Sequence, residues 1–87
     1  MTCRDAILHT IRILIRDRPD GLFSPRDVMR IMRAQRSPYA LATIEAHITS
    51  VMCVNAPPRP GRRFPDLERV SRGRYRLRPA NRLEGQG

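Results

Sequence analysis

Eighty-seven residues suffice for one domain with a modest core and are too few for a catalytic domain beside a regulatory one. A formal charge of +9 and an isoelectric point near 11.5 set up a field that attracts polyanions, nucleic acid before anionic membrane. No apolar run approaches the roughly 20 residues of a spanning helix, and residues 2–18 carry charges where a secretory signal needs an uninterrupted apolar stretch, so a cytoplasmic, nucleoid-associated protein is expected.

The first helix is expected to start at Thr2, whose hydroxyl can cap it while Asp5 sits three residues on, where a carboxylate favours a helix N-terminus. Ile7, Leu8, Ile11, Leu14 and Ile15 recur at helical spacing and form the main core stripe, with Arg4, Arg12 and Arg16 directed away from it. Arg18-Pro19-Asp20-Gly21 ends the helix, and Leu22-Phe23 reads as a short extended piece, a third edge strand. Ser24-Pro25-Arg26-Asp27 is a sharp second start: serine caps, proline takes the first helical position and aspartate the third. Helix two runs to about Gln35 with Val28, Ile31 and Met32 buried and Arg26, Arg30 and Arg33 exposed, and Arg36-Ser37-Pro38 breaks it.

Helix three is predicted from about residue 39 or 40 to residue 54, with Leu41, Ile44, Ile48, Val51 and Met52 on the core face. At about 100° per residue, Ala42, Thr43, Ala46, Thr49, Ser50 and Cys53 cluster on the opposite face, all small and uncharged. An ordinary solvent face would carry charges there. Small residues let a helix approach another surface closely, and hydroxyls and methyls can still touch base edges or phosphates; a tolerated surface or a dimer contact is the plainer alternative. The proline-rich connection from Asn55 to Asp66 is too polar for structure of its own. Leu67 to Arg78 then alternates apolar and charged residues on both sides of Gly73, the pattern of a short hairpin. Val70, Tyr75 and Leu77 are expected to hold it to the helices, since a hairpin this small is marginal alone. The domain is thus expected over residues 1–78, followed by a short frayed tail, 79–87.

Every one of the seventeen basic residues is arginine. Guanidinium bonds phosphate or guanine through two parallel hydrogen bonds, although a GC-rich coding sequence would produce the same bias without selection for contacts. Cys3 and Cys53 have no Cys-x-x-Cys partner and no histidine at ligand spacing, so they are read as reduced small hydrophobes and not as a zinc site; spacing alone leaves a disulfide open. The acidic residues are few and scattered, and neither His9 nor His47 has a nucleophile and a carboxylate at recognisable spacing. Pro65-Asp66 followed by Glu68 superficially matches a nuclease pattern, but the lysine that pattern needs is missing. No enzyme, metal, cofactor or small-molecule ligand is therefore expected.

The order of elements, helix, short strand, two helices at a tight break and a hairpin, resembles the winged helix-turn-helix fold, an α+β class. Three stretches bring the chain closer to an uncharacterised group of small bacterial winged-helix domains that occur alone or fused to restriction-endonuclease-like proteins: residues 23–28 (FSPRDV), residues 39–55 and residues 66–77 (DLERVSRGRYRL). The resemblance implies DNA binding by helix three in the major groove, aided by the wing, in transcription regulation or as the DNA-reading part of a restriction or defence system. It supplies no matched functional residues, so the site is placed by geometry.

Thr43 and Ala46, in the N-terminal half of helix three, are the candidates for base-edge contact, and Thr49 and Ser50 for phosphate. His47 flanks that face, or else caps a polar group of the core. Glu45, on the other flank, could accept from cytosine N4, but an ion pair with a nearby arginine is the stronger expectation. Ser37 and Tyr39 lie near the helix start, where free amides favour a phosphate. Arg72 and Arg74 at the hairpin tip should reach a phosphate or the minor groove; Arg26, Arg30, Arg62 and Arg63 are secondary phosphate candidates, and Arg69, Arg76 and Arg78 are assigned to solubility. The expected partner is double-stranded DNA, with a homodimer or structured RNA as alternatives that use the same fold.

Overall fold

The computed structural model describes residues 2–57, 61 and 63–78. Arg62 and the expected tail, 79–87, lie outside the described residues. Helix α1 (Cys3–Leu14) opens on the expected cap: Thr2 Oγ1 accepts from the Asp5 amide at 3.1 Å while an Asp5 carboxylate oxygen accepts from the Thr2 amide at 3.3 Å. A 3-10 turn, Ile15–Asp17, closes it. Strand β1 (Leu22–Phe23) leads into α2 (Pro25–Ala34), which repeats the reciprocal cap with Ser24 and Asp27 and carries proline in its first turn. Helix α3 (Leu41–Ala46), strand β2 (Leu67–Ser71) and strand β3 (Arg74–Leu77) complete the chain.

Helix α2 stops through hydrogen bonds that the sequence barely advertises. The Ser37 amide donates to the Met32 carbonyl and the Arg36 amide to the Arg33 carbonyl, both at 3.0 Å, the pairing that ends a helix on a left-handed residue. That residue is Arg36, at φ 58°, where glycine is the usual occupant. The reversal aims the chain into α3 after a short connection.

Helix α3 differs from the expected long helix. It is regular only to Ala46, and His47–Val51 continue as a wider π turn closed by the Met52 amide on the His47 carbonyl at 2.8 Å. Thr49 Oγ1 donates back to the Glu45 carbonyl at 2.9 Å, a local bond of the kind that bends helices. One extra residue in a turn sets everything after it back by about 100°. Cys53, predicted on the outward small-residue face, is accordingly swung inward and is buried. Leu41 departs in the other direction: predicted in the core, it is 41% exposed because it opens the helix at its edge, over Met29 and the arginines of α2.

The strands form one antiparallel sheet in the order β1-β3-β2. Leu22 pairs with Arg76 and Phe23 with Tyr75, which sets the Phe23 and Tyr75 rings 6.4 Å apart. This confirms the short third strand, and with it the α+β, winged-helix-like topology. Between β2 and β3 the register slips at Val70: Arg69 faces Tyr75 but Ser71 faces Arg74. The bulge turns Val70 out to 48% exposure, so it is not part of the glue assigned to it, whereas Leu67 and Tyr75 are buried and Leu77 half-buried. One core joins the layers, with Ile7, Ile11, Phe23, Val28, Met32, Ile44, Ile48, Met52 and Leu67 among its buried side chains.

Candidate nucleic-acid interface

Ile44 and Ile48 face the core, so the rest of α3 divides into an outward centre and two flanks. Ala42, Thr43 and Ala46 are exposed, the uncharged face expected of them. Thr49 and Ser50 are half-buried, a consequence of the π turn, which shortens the open face to the N-terminal half of the helix. The flank at Glu45 and Thr49 opens on a cleft of about 490 Å³ whose other walls are Ser24, Pro25 and Arg26 at the start of α2 and Arg69, Gly73 and Tyr75 of the hairpin. The opposite flank belongs to His47, which borders Thr2, Arg4, Asp5 and Phe64 and sets Nδ1 2.9 Å from the Thr43 carbonyl. His47 is therefore directed toward the start of α1 and away from the outward centre.

The hairpin tip places two arginines in the open. Ser71 and Arg74 pair across Arg72 and Gly73, and Gly73 adopts φ 71°, a left-handed turn position that glycine supplies without steric cost. Arg72 and Arg74 are exposed on either side of it. Arg26 and Arg30 are exposed along α2, Arg30 3.8 Å from an Asp27 oxygen. At the base of α3, Ser37 Oγ accepts from the Tyr39 amide at 3.4 Å, while Tyr39 packs at the edge of the core. Ser37 and Tyr39 also border a separate groove between α1 and α2, so they are not drawn into the cleft beside the hairpin.

Other arginines are fastened inward. Arg63, expected to await phosphate, donates Nη2 to the carbonyls of Cys53 at 2.7 Å and Ala56 at 3.1 Å, bracing the connection after α3. Arg4, read as directed away from the core, grips the fully buried Asp66 through Nε and Nη2 at 2.7 and 2.8 Å and lies 4.0 Å over the Phe64 ring. Bonding to Asp66 is the leading cause of a raised Arg4 pKa. Arg76 pairs with Glu68 across the strands at 2.7 Å, a structural link in place of mere solubility. Arg18 joins the Leu22 carbonyl to the Asp27 carboxylate. Burial raises the Asp27 pKa, but the Ser24 amide, Arg18 and the Ser24 hydroxyl outweigh it and hold the carboxyl below its ordinary range. Burial pushes the Tyr75 phenol up.

Both carboxylates of the nuclease-like pattern, Asp66 and Glu68, are thus bonded to arginine. Asn55 was not singled out by sequence, yet its amide nitrogen donates to the Arg69 carbonyl at 2.9 Å and its oxygen accepts from the Arg69 amide at 3.0 Å, covering part of the outer edge of β2. By sequence it is only the first residue of the proline-rich connection. Glu45 was expected to sit in an ion pair; among the described residues its carboxylate forms none.

Residues 4–77 match the model of a family described as a domain of unknown function, DUF7669. The chain belongs to that family. No curated protein and no solved structure matches it. For this DUF7669 domain, the arrangement around α3 is therefore the ground on which function is argued. Among the described residues no helix is long and apolar enough to cross a membrane.

Proposed function

We propose that the chain binds double-stranded DNA, with the N-terminal half of α3 in the major groove and the hairpin as an electrostatic clamp. The observation that carries this reading is the contrast on one side of the molecule: an exposed, uncharged α3 face at Ala42, Thr43 and Ala46, flanked by exposed arginines at the hairpin tip and at the start of α2. A close-fitting surface with cations at its rim suits a duplex, whose bases are read in the groove and whose phosphates border it. Arg72 and Arg74 bind backbone, Arg26 and Arg30 add phosphate contacts, and Thr43 and Ala46 meet base edges. A transcriptional regulator and the DNA-reading part of a restriction or defence system are the two roles this reading serves, and it includes no catalytic step.

Titration of duplex DNA over a range of salt tests the reading. Affinity falls with a log-log slope of about −0.9 per phosphate neutralised, and replacing Arg72 and Arg74 together by alanine weakens all duplexes alike and makes the slope shallower by about two phosphates' worth. Binding that stays flat with salt would exclude it. Exposed Leu41 beside Ala42 favours one second reading, in which this face packs on another protein or on a second copy. Ala46→Glu and Thr43→Arg separate the two: both alter duplex affinity or discrimination if α3 enters the groove, and neither does if the face serves a protein contact.

A further inference from the structure

Between Leu41 and Val51 one side chain is charged, Glu45, and it is acidic in a chain of net charge +9. Its position makes this informative. Glu45 is exposed, one turn after Leu41 and one turn before Thr49, on the flank of α3 that shares a cleft with Arg26, Arg69 and Gly73. Although two arginines line that cleft, the carboxylate forms no ion pair among the described residues. The arginines that do pair with acids among the described residues, Arg4, Arg18, Arg30 and Arg76, pair with Asp66, Asp27 and Glu68.

A carboxylate left unneutralised on a surface meant for a polyanion repels phosphate at every approach. It is compatible with a duplex only where it meets a hydrogen-bond donor. In the major groove the base-edge donors are the amino groups of adenine and cytosine. Adenine presents the N7 acceptor beside its amino group, which suits an amide and disfavours a carboxylate, whereas cytosine offers N4–H₂ to an acceptor. Ala42 and Ala46, the exposed neighbours of Glu45 on the same helix, are short enough to let its carboxylate reach a base edge.

We propose that Glu45 is a specificity-determining residue that accepts a hydrogen bond from the N4 amino group of a cytosine in the major groove. The proposal rests on the duplex-binding reading above and goes beyond it by naming a base and the group that reads it. The same charge that selects cytosine lowers affinity for every sequence lacking it there, so selectivity comes partly from repulsion.

The test uses the full chain and Glu45→Gln, a near-isosteric change at an exposed position. Sequences selected by the native chain from a random duplex pool should fix a cytosine, and changing that cytosine to thymine should weaken native binding by about tenfold. Glu45→Gln should abolish this penalty, keep preferences at other positions and bind unrelated duplexes at least as well as the native chain. If native binding is selective but Glu45→Gln leaves every preference unchanged, or shifts all duplexes by one common factor, the Glu45 assignment is wrong while duplex binding stands. If the native chain binds no duplex at all, the duplex reading itself fails and this proposal falls with it.

Discussion

The two ends of strand β2 use the same residue type in opposite ways. At the root, beside Leu67, Arg4 is locked on buried Asp66 and stacked on Phe64, and Arg63 is tied to two carbonyls of the returning loop. At the tip, a few residues on, Arg72 and Arg74 stand exposed around Gly73. An arginine-rich composition therefore describes two populations, fasteners and free cations, and only the second can bring charge to a polyanion without unfolding something. Position relative to the core, not residue type, sorts them.

Breaking the root should have the largest effect. Arg4→Ala takes two guanidinium hydrogen bonds from the buried Asp66 carboxylate, and removing one partner of a buried pair costs about 3–5 kcal/mol, here at the lower end because Arg4 itself is partly exposed. For a domain of this size that is on the order of 15 °C in melting temperature. Adding Asp66→Asn to Arg4→Ala should recover part of the loss, because the buried charge is removed. Arg72→Ala at the tip should leave the melting temperature where it was. Thermal unfolding followed by circular dichroism compares all three, and a tip substitution as damaging as Arg4→Ala would erase the distinction.

The middle of the strand is held by Asn55. Its paired hydrogen bonds to Arg69 satisfy an edge that would otherwise be open, and Asn55→Ala should cost about 1–2 kcal/mol in urea unfolding while increasing amide exchange at Arg69. A comparable but pH-dependent contribution comes from Asp27, which fixes the start of α2 opposite the hairpin. Its carboxyl lies below its unfolded value near 4, so its contribution is full above that value and is lost as pH falls through the lower folded one. Asp27→Asn should therefore flatten the acid limb of the stability curve; unchanged acid sensitivity would show that the proton goes elsewhere.

Much of the scaffold was legible. Thr2/Asp5 and Ser24-Pro25-x-Asp27 are local signals whose geometry depends on three or four residues, and the hairpin around Gly73 likewise. What eluded the sequence is non-local. Nothing in a periodicity reveals that Arg4 meets a residue sixty-two positions away, and the π turn that pulls Cys53 inward adds one residue to a helix whose pattern still reads as regular. The same local success and long-range blindness applies to the candidate site. Exposed Ala42, Thr43 and Ala46 follow from helical phase before the π turn, whereas the half-burial of Thr49 and Ser50, the redirection of His47 and the inward use of Arg63 depend on packing after it.

The finest test of the comparison lies within β2 itself, between Leu67 and Val70. Both are branched aliphatic residues of one strand, and alternation alone already places residues three apart on opposite faces. The register slip between Arg69 and Ser71 adds to this by leaving Val70 unpaired in the bulge and 48% exposed, while Leu67 is fully buried. Leu67→Ala should then cost about 2–5 kcal/mol as a core truncation, whereas Val70→Thr, which keeps the β-branched shape and replaces one methyl by a hydroxyl, should stay within about 0.5 kcal/mol. Duplex affinity should follow neither change as long as the domain is folded, because neither alters an exposed cation. A stability loss at Val70 similar to that at Leu67 would mean that the bulge is pulled flat and the tip is packed against the helices, and the free arginines would then have to be sought elsewhere than at Gly73.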